Sequence, residues 1–255
     1  DDLPSLRRQL GEDKKAAKSI LRRQEATAEK KKMTAAPRVG IVILNYNGRA
    51  YLERFLPSVL RSCYPNFEVY VADNGSGDGS LALLEEHFPQ VRRIDLVENH
   101  GYAEGYNRAL RSVAADYYVL LNSDVEVAPG WMAPIIELME RDPSIAACQP
   151  KVKSFQQREY FEYAGGAGGW IDALGYPFCR GRLFAHIEAD RGQYEQIQEI
   201  FWATGAALFI RARLFHAIGG FDEAYFAHYE EIDLCWRLKR AGYKIMAQPQ
   251  SVVYH

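Results

Sequence analysis

The stretch Tyr117–Val127, YYVLLNSDVEV, decides the fold. Its five largely apolar residues, 117–121, predict a buried strand. The strand ends at Asn122, Ser123 and Asp124, three short polar residues that can bond to the local backbone or to a ligand. In an open α/β sheet, ligands bind beyond the carboxyl ends of the strands, where Asp124 would lie. That carboxylate is suited to a hard divalent cation that holds a diphosphate, and a plain strand-ending turn is the alternative.

Composition describes an ordinary globular chain. Its 255 residues, 48% hydrophobic and 25% charged, suffice for one main domain and an appendage. A net charge of −2 gives no global electrostatic case for nucleic acid. The four cysteines are far apart without a C-x-x-C pair, so they predict neither a zinc module nor disulfides and favour a reducing cytoplasm. No apolar run approaches the roughly eighteen residues of a membrane span, so we expect none.

The first 37 residues form a separate basic leader. Residues 1–38 contain eleven Lys or Arg against six Asp or Glu, and apolar residues recur at roughly helical spacing. This pattern predicts a solvated amphipathic helix or helical pair, and it is also compatible with peripheral contact with the inner face of an anionic membrane. Because Met33 resembles a natural start, the preceding residues are typical of either an added leader or a native extension.

From residue 38 to 255 the pattern predicts one domain. Strands are expected at 39–44, 67–72, 91–97, 117–121, 146–152, 200–210, 244–247 and 251–254. Helices are expected at 51–62, 80–88, 107–114, 131–141, 212–218 and 230–241, with a Gly-rich loop at 99–106 and a mobile excursion at 161–182. This alternation predicts an α/β fold, a doubly wound and mostly parallel sheet with helices on both faces. Its halves are a nucleotide-binding part, about 38–127, and an acceptor part, about 128–255.

Two polar, glycine-containing stretches at the ends of predicted strands are candidate nucleotide contacts. The first, DNGSGDGS from Asp73 to Ser80, lacks the third glycine of a dinucleotide fingerprint. Asp73 is suited to accept the imide N–H of uracil or thymine, although a simple loop with a helix cap explains the same residues. The second stretch begins at Asn99, and Gly101 would let the backbone approach a base or diphosphate. A turn and helix start is equally consistent with it.

Three carboxylates lie at the start of the last predicted helix, in the run YEEID. Glu230, Glu231 and Asp233 there would complement the helix dipole, or one of them would take the proton of an attacking hydroxyl. Asp233 is also placed to pair with Arg237, four residues later. His255 follows the last apolar strand. Beside Asp124 it would be an additional metal ligand, favouring Mn²⁺ over Mg²⁺.

Six collinear stretches give the sequence a resemblance to family 2 glycosyltransferases with the GT-A fold, particularly their rhamnosyltransferase-like branch. They are VGIVILNYNG, EVYVADNGSGDGS, NHGYAEGYNRAL, YYVLLNSDVEVAPGW, FWATGAALFIRARLFHAIGGFDEAYFAHYEEIDLCWRLKRAGY and SVVYH, between Arg38 and His255. The resemblance implies inverting, metal-dependent transfer of a hexosyl or deoxyhexosyl group from a UDP- or dTDP-type sugar. The implied acceptor is a hydroxyl of a glycan or lipid-linked molecule, as in polysaccharide or cell-envelope synthesis.

The resemblance also assigns roles to residues. Asn122-Ser123-Asp124 occupies the place of the family's Asp-x-Asp motif, so Asp124 would be the principal ligand of Mn²⁺ or Mg²⁺, and His255 a second one. Glu231 is the first candidate for the base, with Glu230 and Asp233 in reserve. Trp202, Thr204 and Gly205 would line the sugar and acceptor region. The residues expected to border the nucleotide are Asn45, Asn47, Asp73, Asn74, Asn99, Gly101, Asn107, Asn122 and Ser123.

Two other classes of protein remain as alternatives. One is a non-catalytic module on the same fold that binds a glycan or nucleotide sugar, since a fold does not fix a function. The other is a sugar-phosphate nucleotidyltransferase, which we expect to have a Gly-rich segment with a basic residue directly after the first strand. Here that position holds NYNG, which favours the glycosyltransferase.

Overall fold

This computed structural model describes residues 36–255, and its main element is one mixed β-sheet. Its strands run in the order β11-β13-β6-β12-β4-β1-β2-β3, and β5 pairs with β13 beside this path. The bounds are β1 Val39–Asn45, β2 Phe67–Asp73, β3 Arg92–Asp95, β4 Tyr117–Leu121, β5 Glu126–Val127, β6 Ile145–Lys153, β11 Gln198–Ile200, β12 Ala207–Arg211 and β13 Lys244–Tyr254. The helix predicted in the leader lies outside the described residues.

Both faces of the sheet are apolar, because successive apolar side chains on its strands point to opposite faces, and helices pack on each face. In β1, Ile41 and Ile43 face one buried cluster and Val42 faces the other. The helices are α1 Arg49–Leu60, α2 Ser80–His87, α3 Gly101–Leu110, α4 Met132–Arg141, α5 Ala212–Ala217 and α6 Glu230–Arg240. Residues of α1, α2 and α4 pack into the first cluster, and those of α3, α5 and α6 into the second. The predicted α/β fold with a mostly parallel sheet is confirmed.

Strand direction brings the polar strand ends together. The first four strands are parallel, so Asn45 at the end of β1 pairs with Asp73 at the end of β2, and Ile43 pairs with Leu121 of β4. The next strand in the sheet after β4 is β12, which is antiparallel to both of its neighbours, β4 and β6. The residues following β1, β2 and β4 therefore lie at one edge of the sheet, where an open α/β sheet binds its ligands.

The predicted Gly-rich loop at 99–106 is wrong, because α3 begins at Gly101. Buried residues at helical spacing, such as Ala103 and Tyr106, hold this helix against the sheet. Asn99 Oδ1 accepts the N–H of Gly101 at 2.9 Å, and Asn74 Oδ1 accepts that of His100 at 3.0 Å. Glycine frequency suggested a loop, whereas these side chains satisfy the N–H groups at the helix start.

The second half contains shorter elements than predicted. The expected strand at 200–210 is interrupted by a loop at 201–206, between β11 and β12, whereas the two predicted final strands join into the irregular strand β13. The expected excursion at 161–182 contains β7 and β8, which form one hairpin, and the chain then forms a second hairpin of β9 and β10. These strands are β7 Gly169–Ile171, β8 Pro177–Cys179, β9 Arg182–Leu183 and β10 His186–Ile187. Within residues 36–255, no helix is long and apolar enough to cross a membrane.

Candidate active site

Asp124 and His255 lie side by side, although 131 positions separate them in the sequence. Their proximity follows from the antiparallel register of β5 and β13, in which Val127 pairs with Val253 and Glu126 with Tyr254. Continuing this register places residue 255 beside residue 125, so the imidazole reaches the carboxylate of Asp124. His255 Nε2 is 3.2 Å from Asp124 Oδ1.

The two groups change each other's ionisation. Burial opposes the charge of Asp124, but the hydrogen bond and charge of His255 outweigh it, so the pKa of Asp124 lies below its ordinary value. Burial similarly lowers the pKa of His255, but Asp124 and Glu162 together raise it above the ordinary value. Asp124 is therefore ionised at neutral pH.

The pair fits a divalent cation. Two donors that bind one octahedral ion at about 2.1 Å and at a right angle are about 3 Å apart, which agrees with the 3.2 Å between Asp124 and His255. The Asp124 side chain is 39% exposed, so other ligands can approach. Residues 36–255 contain no group of three or more His, Cys, Asp or Glu that could hold a metal ion. A cation here would therefore need water or substrate oxygens to complete its coordination.

Asn122 and Ser123 lie at the same edge and are partly exposed. The N–H of Asn122 donates to the carbonyl of Ala206 at 3.0 Å, which joins this strand end to the 201–206 loop. Ser123 faces the turn after β1, because a Cβ on Gly48 would lie 3.4 Å from its Oγ. The same Cβ would lie 2.4 Å from Asn45 Oδ1, so a larger residue than glycine would displace that side chain.

Asn45 and Asp73 form a buried network at the ends of β1 and β2. Asn45 Nδ2 donates to Asp73 Oδ2 and to Ser76 Oγ, both at 3.1 Å, and Asp73 Oδ1 accepts the N–H of Ser76 at 2.8 Å. Asp73 is only 1% exposed and orders the loop in this conformation, and its contact with a base stays a prediction. Asn47, which is exposed, accepts the N–H of Gly77 at 2.8 Å and joins the two strand-end loops.

The remaining predicted nucleotide residues are engaged in contacts within the protein. Asn74 Nδ2 donates to Asn99 Oδ1 and to the carbonyl of Gly101, each at 3.0 Å. Asn107 Nδ2 donates to the Phe221 carbonyl at 2.9 Å, and its Oδ1 accepts the Phe221 N–H at 2.9 Å. These amides hold α3 to the end of β2 and to the turn before α6. Their direct contact with a nucleotide stays a prediction.

Glu230 and Glu231 begin α6, as predicted. Burial is the largest cause that raises the pKa of both carboxyls, and the charge of Glu230 adds to it for Glu231, whose pKa rises to about 7. Each has a buried Oε2 that makes no hydrogen bond to any of residues 36–255, and the Glu230 residue is only 4% exposed. Asp233 differs, because it forms the expected ion pair with Arg237 at 2.7 Å. Glu231 therefore has the pKa that suits a general base at neutral pH.

The backbone before α6 is bent sharply. His228 and Tyr229 both have φ of 71°, in the left-handed region that few non-glycine residues adopt. The carbonyl of Phe226 accepts the N–H of Tyr102 at 2.9 Å, so this segment lies on the start of α3. Strained backbone of this kind clusters at functional sites.

The 201–206 loop is bonded to the residue after β4 through Ala206 and to the start of α3 through Gly205. Its Gly205 carbonyl accepts the hydroxyl of Tyr102 at 2.9 Å. Burial raises the pKa of that tyrosine, and the charges of Tyr106, Glu230 and Glu231 add to the effect. Trp202 and Thr204, expected to line the sugar and acceptor region, are buried. Trp202 Nε1 donates to the Trp170 carbonyl at 2.8 Å, and Thr204 Oγ1 donates to that of Ala164 at 3.0 Å. Gly205 is exposed to a larger fraction of its surface than either.

Sequence reasoning missed Glu162 and Tyr102. Glu162 Oε1 is 3.8 Å from His255 Nδ1, and Tyr102 connects the start of α3 to Gly205. Glu162 lies in the stretch interpreted as an excursion, and no motif or spacing marks it. Tyr102 lies within one of the six stretches, but the neighbouring glycines led to a prediction about the backbone, namely that it approaches a base or diphosphate, and not about this side chain.

Known proteins resemble this chain in sequence and in fold. Residues 40–217 match the family described as glycosyl transferase family 2. An N-acetylglucosaminyl-diphospho-decaprenol L-rhamnosyltransferase of Mycobacterium tuberculosis is 27% identical over 229 residues, covering 84% of this chain and 75% of that protein. The O-antigen biosynthesis protein RfbC of Myxococcus xanthus is 26% identical over 223 residues, covering 86% of this chain and 17% of that protein.

Solved structures show the same architecture. The crystal structure of GalNAc-T7 with UDP, GalNAc and Mn²⁺ matches with a TM-score of 0.71 at 17% identity, covering 87% of this chain and 44% of the other. A Pyrobaculum calidifontis mannosyltransferase with GDP-Man and Mn²⁺ matches with a TM-score of 0.63 at 19% identity, covering 87% of this chain and 57% of the other. The chain thus spans about half the length of these solved chains, and the likeness confirms the GT-A fold. Because the family match includes well over half of the sequence, the chain belongs to glycosyl transferase family 2, in its rhamnosyltransferase-like branch.

Proposed function

We propose that this chain catalyses inverting transfer of a sugar from a UDP- or dTDP-type sugar to a hydroxyl of a glycan or lipid-linked acceptor. The observation that carries the proposal is the arrangement of carboxylates around the 201–206 loop. The N–H of Asn122, two residues before Asp124, donates to the Ala206 carbonyl of that loop, and Tyr102, whose pKa is raised by burial and by the charges of Glu230 and Glu231, donates to its Gly205 carbonyl. Asp124 is paired with His255, and the pKa of Glu231 is raised to about 7. An ionised carboxylate for a cation and a separate carboxylate for a proton are what this reaction requires.

Asp124 and His255 would hold the divalent cation. The two solved relatives that contain Mn²⁺ and a nucleotide or nucleotide sugar support this assignment for the fold, and the 3.2 Å between the two donors supports it for this chain. When bound, the cation would offset the negative charge that develops on the departing diphosphate. Asn122 and Ser123 lie next to the cation position, where partly exposed polar side chains can contact the diphosphate.

Glu231 would act as the base. Its carboxylate takes the proton from the acceptor hydroxyl while that oxygen attacks the anomeric carbon, and the bond from this carbon to the diphosphate breaks on the opposite face. The nucleoside diphosphate leaves with the electron pair of that bond, so one displacement inverts the configuration. Within the described part of the chain, the buried Oε2 of Glu231 has no hydrogen-bond donor, so it can receive the proton. Asp233 is less suited to the role, because its charge is paired with Arg237.

The acceptor proposal derives from a relative. The Mycobacterium tuberculosis protein is named for an N-acetylglucosaminyl-diphospho-decaprenol substrate, which is lipid-linked. A comparable acceptor for this chain would place the reaction at the cytoplasmic surface of a membrane. The contact of the basic leader with such a surface stays a prediction.

A donor panel tests the proposal. The full chain is incubated with UDP-, dTDP- or GDP-sugars and Mn²⁺ or Mg²⁺, and release of the nucleoside diphosphate is measured. We expect release to require the cation and to increase with a glycan or lipid-linked acceptor. Binding of a nucleotide sugar without turnover would instead support the non-catalytic module, and release of pyrophosphate from a nucleoside triphosphate would support the nucleotidyltransferase.

Two variants separate the proposed roles. Asp124→Ala should lose both turnover and cation-dependent UDP binding, whereas Glu231→Gln should lose about 10²–10⁴-fold in turnover and retain UDP binding. Glu137→Gln, on an exposed part of α4, is the control for neutralising a carboxylate and should behave as the wild type. Full turnover by Glu231→Gln would show that another group is the base.

A further inference from the structure

Glu162 lies on the side of the His255 ring that faces away from Asp124. His255 Nε2 is 3.2 Å from Asp124 Oδ1, whereas its Nδ1 is 3.8 Å from Glu162 Oε1. This Nδ1 is buried and makes no hydrogen bond within the part of the chain that the structure describes. At 3.8 Å the two atoms are beyond hydrogen-bond distance, and an approach of less than 1 Å would bring them to the roughly 2.9 Å of an N–H···O bond. Each ring nitrogen therefore faces one carboxylate.

The position of Glu162 is fixed by the backbone around it. The Glu162 side chain is 14% exposed, and its Oε2 accepts the N–H of Ala164 at 2.6 Å. Its backbone N–H donates to the carbonyl of Val152 in β6 at 3.0 Å. His255 is attached to the same strand, since its N–H donates to the carbonyl of Lys153 at 2.9 Å. Both residues are thus positioned by the end of β6.

We propose that Glu162 is a positioning residue that keeps a proton on Nδ1 of His255, so that Nε2 presents its lone pair to the cation beside Asp124. The inference rests on the metal site of the proposed function. A histidine that binds a metal through one nitrogen commonly donates the other N–H to a carboxylate, which fixes its tautomer and orientation. Glu162 is the carboxylate that occupies this place.

The contact with Ala164 predicts how a glutamine at position 162 would behave. In the glutamine variant, the side-chain carbonyl oxygen would accept the N–H of Ala164, as Oε2 of Glu162 does now. The opposite orientation would place the NH₂ group, itself a donor, against that N–H. Its NH₂ would then face His255 Nδ1 and favour the tautomer with the proton on Nε2. In that tautomer Nε2 has no lone pair to offer to a cation beside Asp124. Glu162→Gln, although nearly isosteric, should therefore impair metal binding at least as much as Glu162→Ala.

The first experiment measures Mn²⁺ affinity without turnover. Free Mn²⁺ is followed by electron paramagnetic resonance during titration of the full chain in the presence of UDP. We expect about 10- to 100-fold weaker binding for Glu162→Gln and Glu162→Ala, the range found when such supporting carboxylates are changed. Glu159→Gln, an exposed carboxylate three residues earlier, is the matched control and should bind as the wild type does.

The second experiment observes the tautomer in the absence of metal. Asp124→Ala removes the competing acceptor at Nε2, so Glu162 alone faces the ring. In protein labelled with ¹⁵N-histidine, at a pH where the ring is neutral, the ring shifts should show the proton on Nδ1 for Asp124→Ala. They should show it on Nε2 for Asp124→Ala combined with Glu162→Gln. A residue with only a structural role would not exchange the tautomers.

The outcomes distinguish this inference from the proposed function. If His255→Ala weakens Mn²⁺ binding and both Glu162 variants bind as the wild type does, the role of Glu162 is wrong and the metal site stands. An unchanged tautomer in the second experiment would also overturn the inference. If His255→Ala binds Mn²⁺ as tightly as the wild type, His255 is not a ligand, and the inference fails together with that part of the proposed function.

Discussion

At the scale of single residues, surroundings give chemically similar carboxylates different properties. The imidazole of His255 keeps the pKa of Asp124 below its ordinary value, although burial acts in the opposite direction. Burial and the neighbouring Glu230 raise the pKa of Glu231 to about 7. Environments that separate the pKa values of two acids commonly separate their roles as well. The ionised Asp124 is suited to a cation, and Glu231 to proton transfer.

The pKa of Glu231 predicts the pH dependence of the reaction. A base must be ionised to accept a proton, so kcat/KM should rise with pH, reach half of its plateau near pH 7, and fall about tenfold per unit below that. Initial rates measured across this range test the expectation. Glu231→Gln should show a low kcat/KM that does not rise with pH around pH 7. In the wild type, a rise of kcat/KM centred near the pKa of an ordinary exposed glutamate would contradict the assignment of Glu231 as the base.

Glu231 should also lower stability at neutral and alkaline pH. Because its folded pKa of about 7 exceeds the ordinary value of 4.5 expected on unfolding, the folded state binds the proton more tightly. Stability therefore falls as pH rises between these values, and the full penalty is present above pH 7. Glu231→Gln removes it and should raise the free energy of unfolding at pH 8 by about 1–3 kcal/mol. Denaturant unfolding at pH 8 and pH 4 measures this difference, which should largely disappear at pH 4. An equal gain at both pH values would indicate a packing effect.

At the scale of elements, asparagine side chains attach α3 to its neighbours. Asn74 and Asn99 bond to its first turn, and Asn107 bonds to the turn that leads toward α6. Together with the Phe226 carbonyl on Tyr102, these bonds fix where α6 begins and hence where Glu231 lies. Polar residues at this edge of the sheet therefore build the site even where they have little surface for a ligand.

Asn107→Ala tests whether that amide supports the fold or binds the nucleotide. The substitution leaves the N–H and carbonyl of Phe221 without their partner, so we expect a loss of about 1–3 kcal/mol in the free energy of unfolding. The affinity for UDP should stay within about twofold, as measured by calorimetric titration. Arg108→Ala, at the exposed neighbouring position, should change neither quantity. A large loss of UDP affinity with unchanged stability would instead support direct contact with the nucleotide.

At the scale of the whole molecule, one continuous sheet connects the predicted nucleotide and acceptor halves. The antiparallel strand β12 pairs on one side with β4, which leads to Asp124, and on the other with β6, which positions Glu162 and His255. Phe209 in β12 is fully buried and packs edge-on against Trp131, with ring centroids 5.0 Å apart. Both halves therefore contribute strands to one sheet and side chains to the buried cluster on each of its faces.

Phe209→Ala should consequently destabilise both halves together. We expect a loss of about 3–5 kcal/mol and a single calorimetric transition at a lower temperature. Phe184→Ala, the same change at a residue that is 88% exposed, should leave the transition temperature nearly unchanged. Two separate transitions in Phe209→Ala would show that the halves unfold independently.

Predictions from the sequence succeeded where local pattern and burial agree. The apolar runs of β1, β2 and β4 each end in polar residues, and all three are strands close to the predicted bounds. They failed where tertiary contacts decide, as in the 201–206 loop. There the N–H of Thr204 bonds to Gln149 at 3.0 Å, and Trp202 lies so close to Gly169 that a Cβ on that glycine would be 2.1 Å away. An apolar run contains no information about such distant partners.

The sequence alone determined the fold class and the family and predicted the edge of the sheet at which the candidate site lies, because periodicity and strand-end residues are local properties of the chain. Only the tertiary structure decided that His255 meets Asp124, since this depends on the register of β5 and β13. It also placed Glu162 behind that imidazole and buried the carboxyl of Glu231. The physical reason is that pKa values and metal geometry depend on distances between groups that are remote in sequence, and the packing of the whole sheet sets those distances.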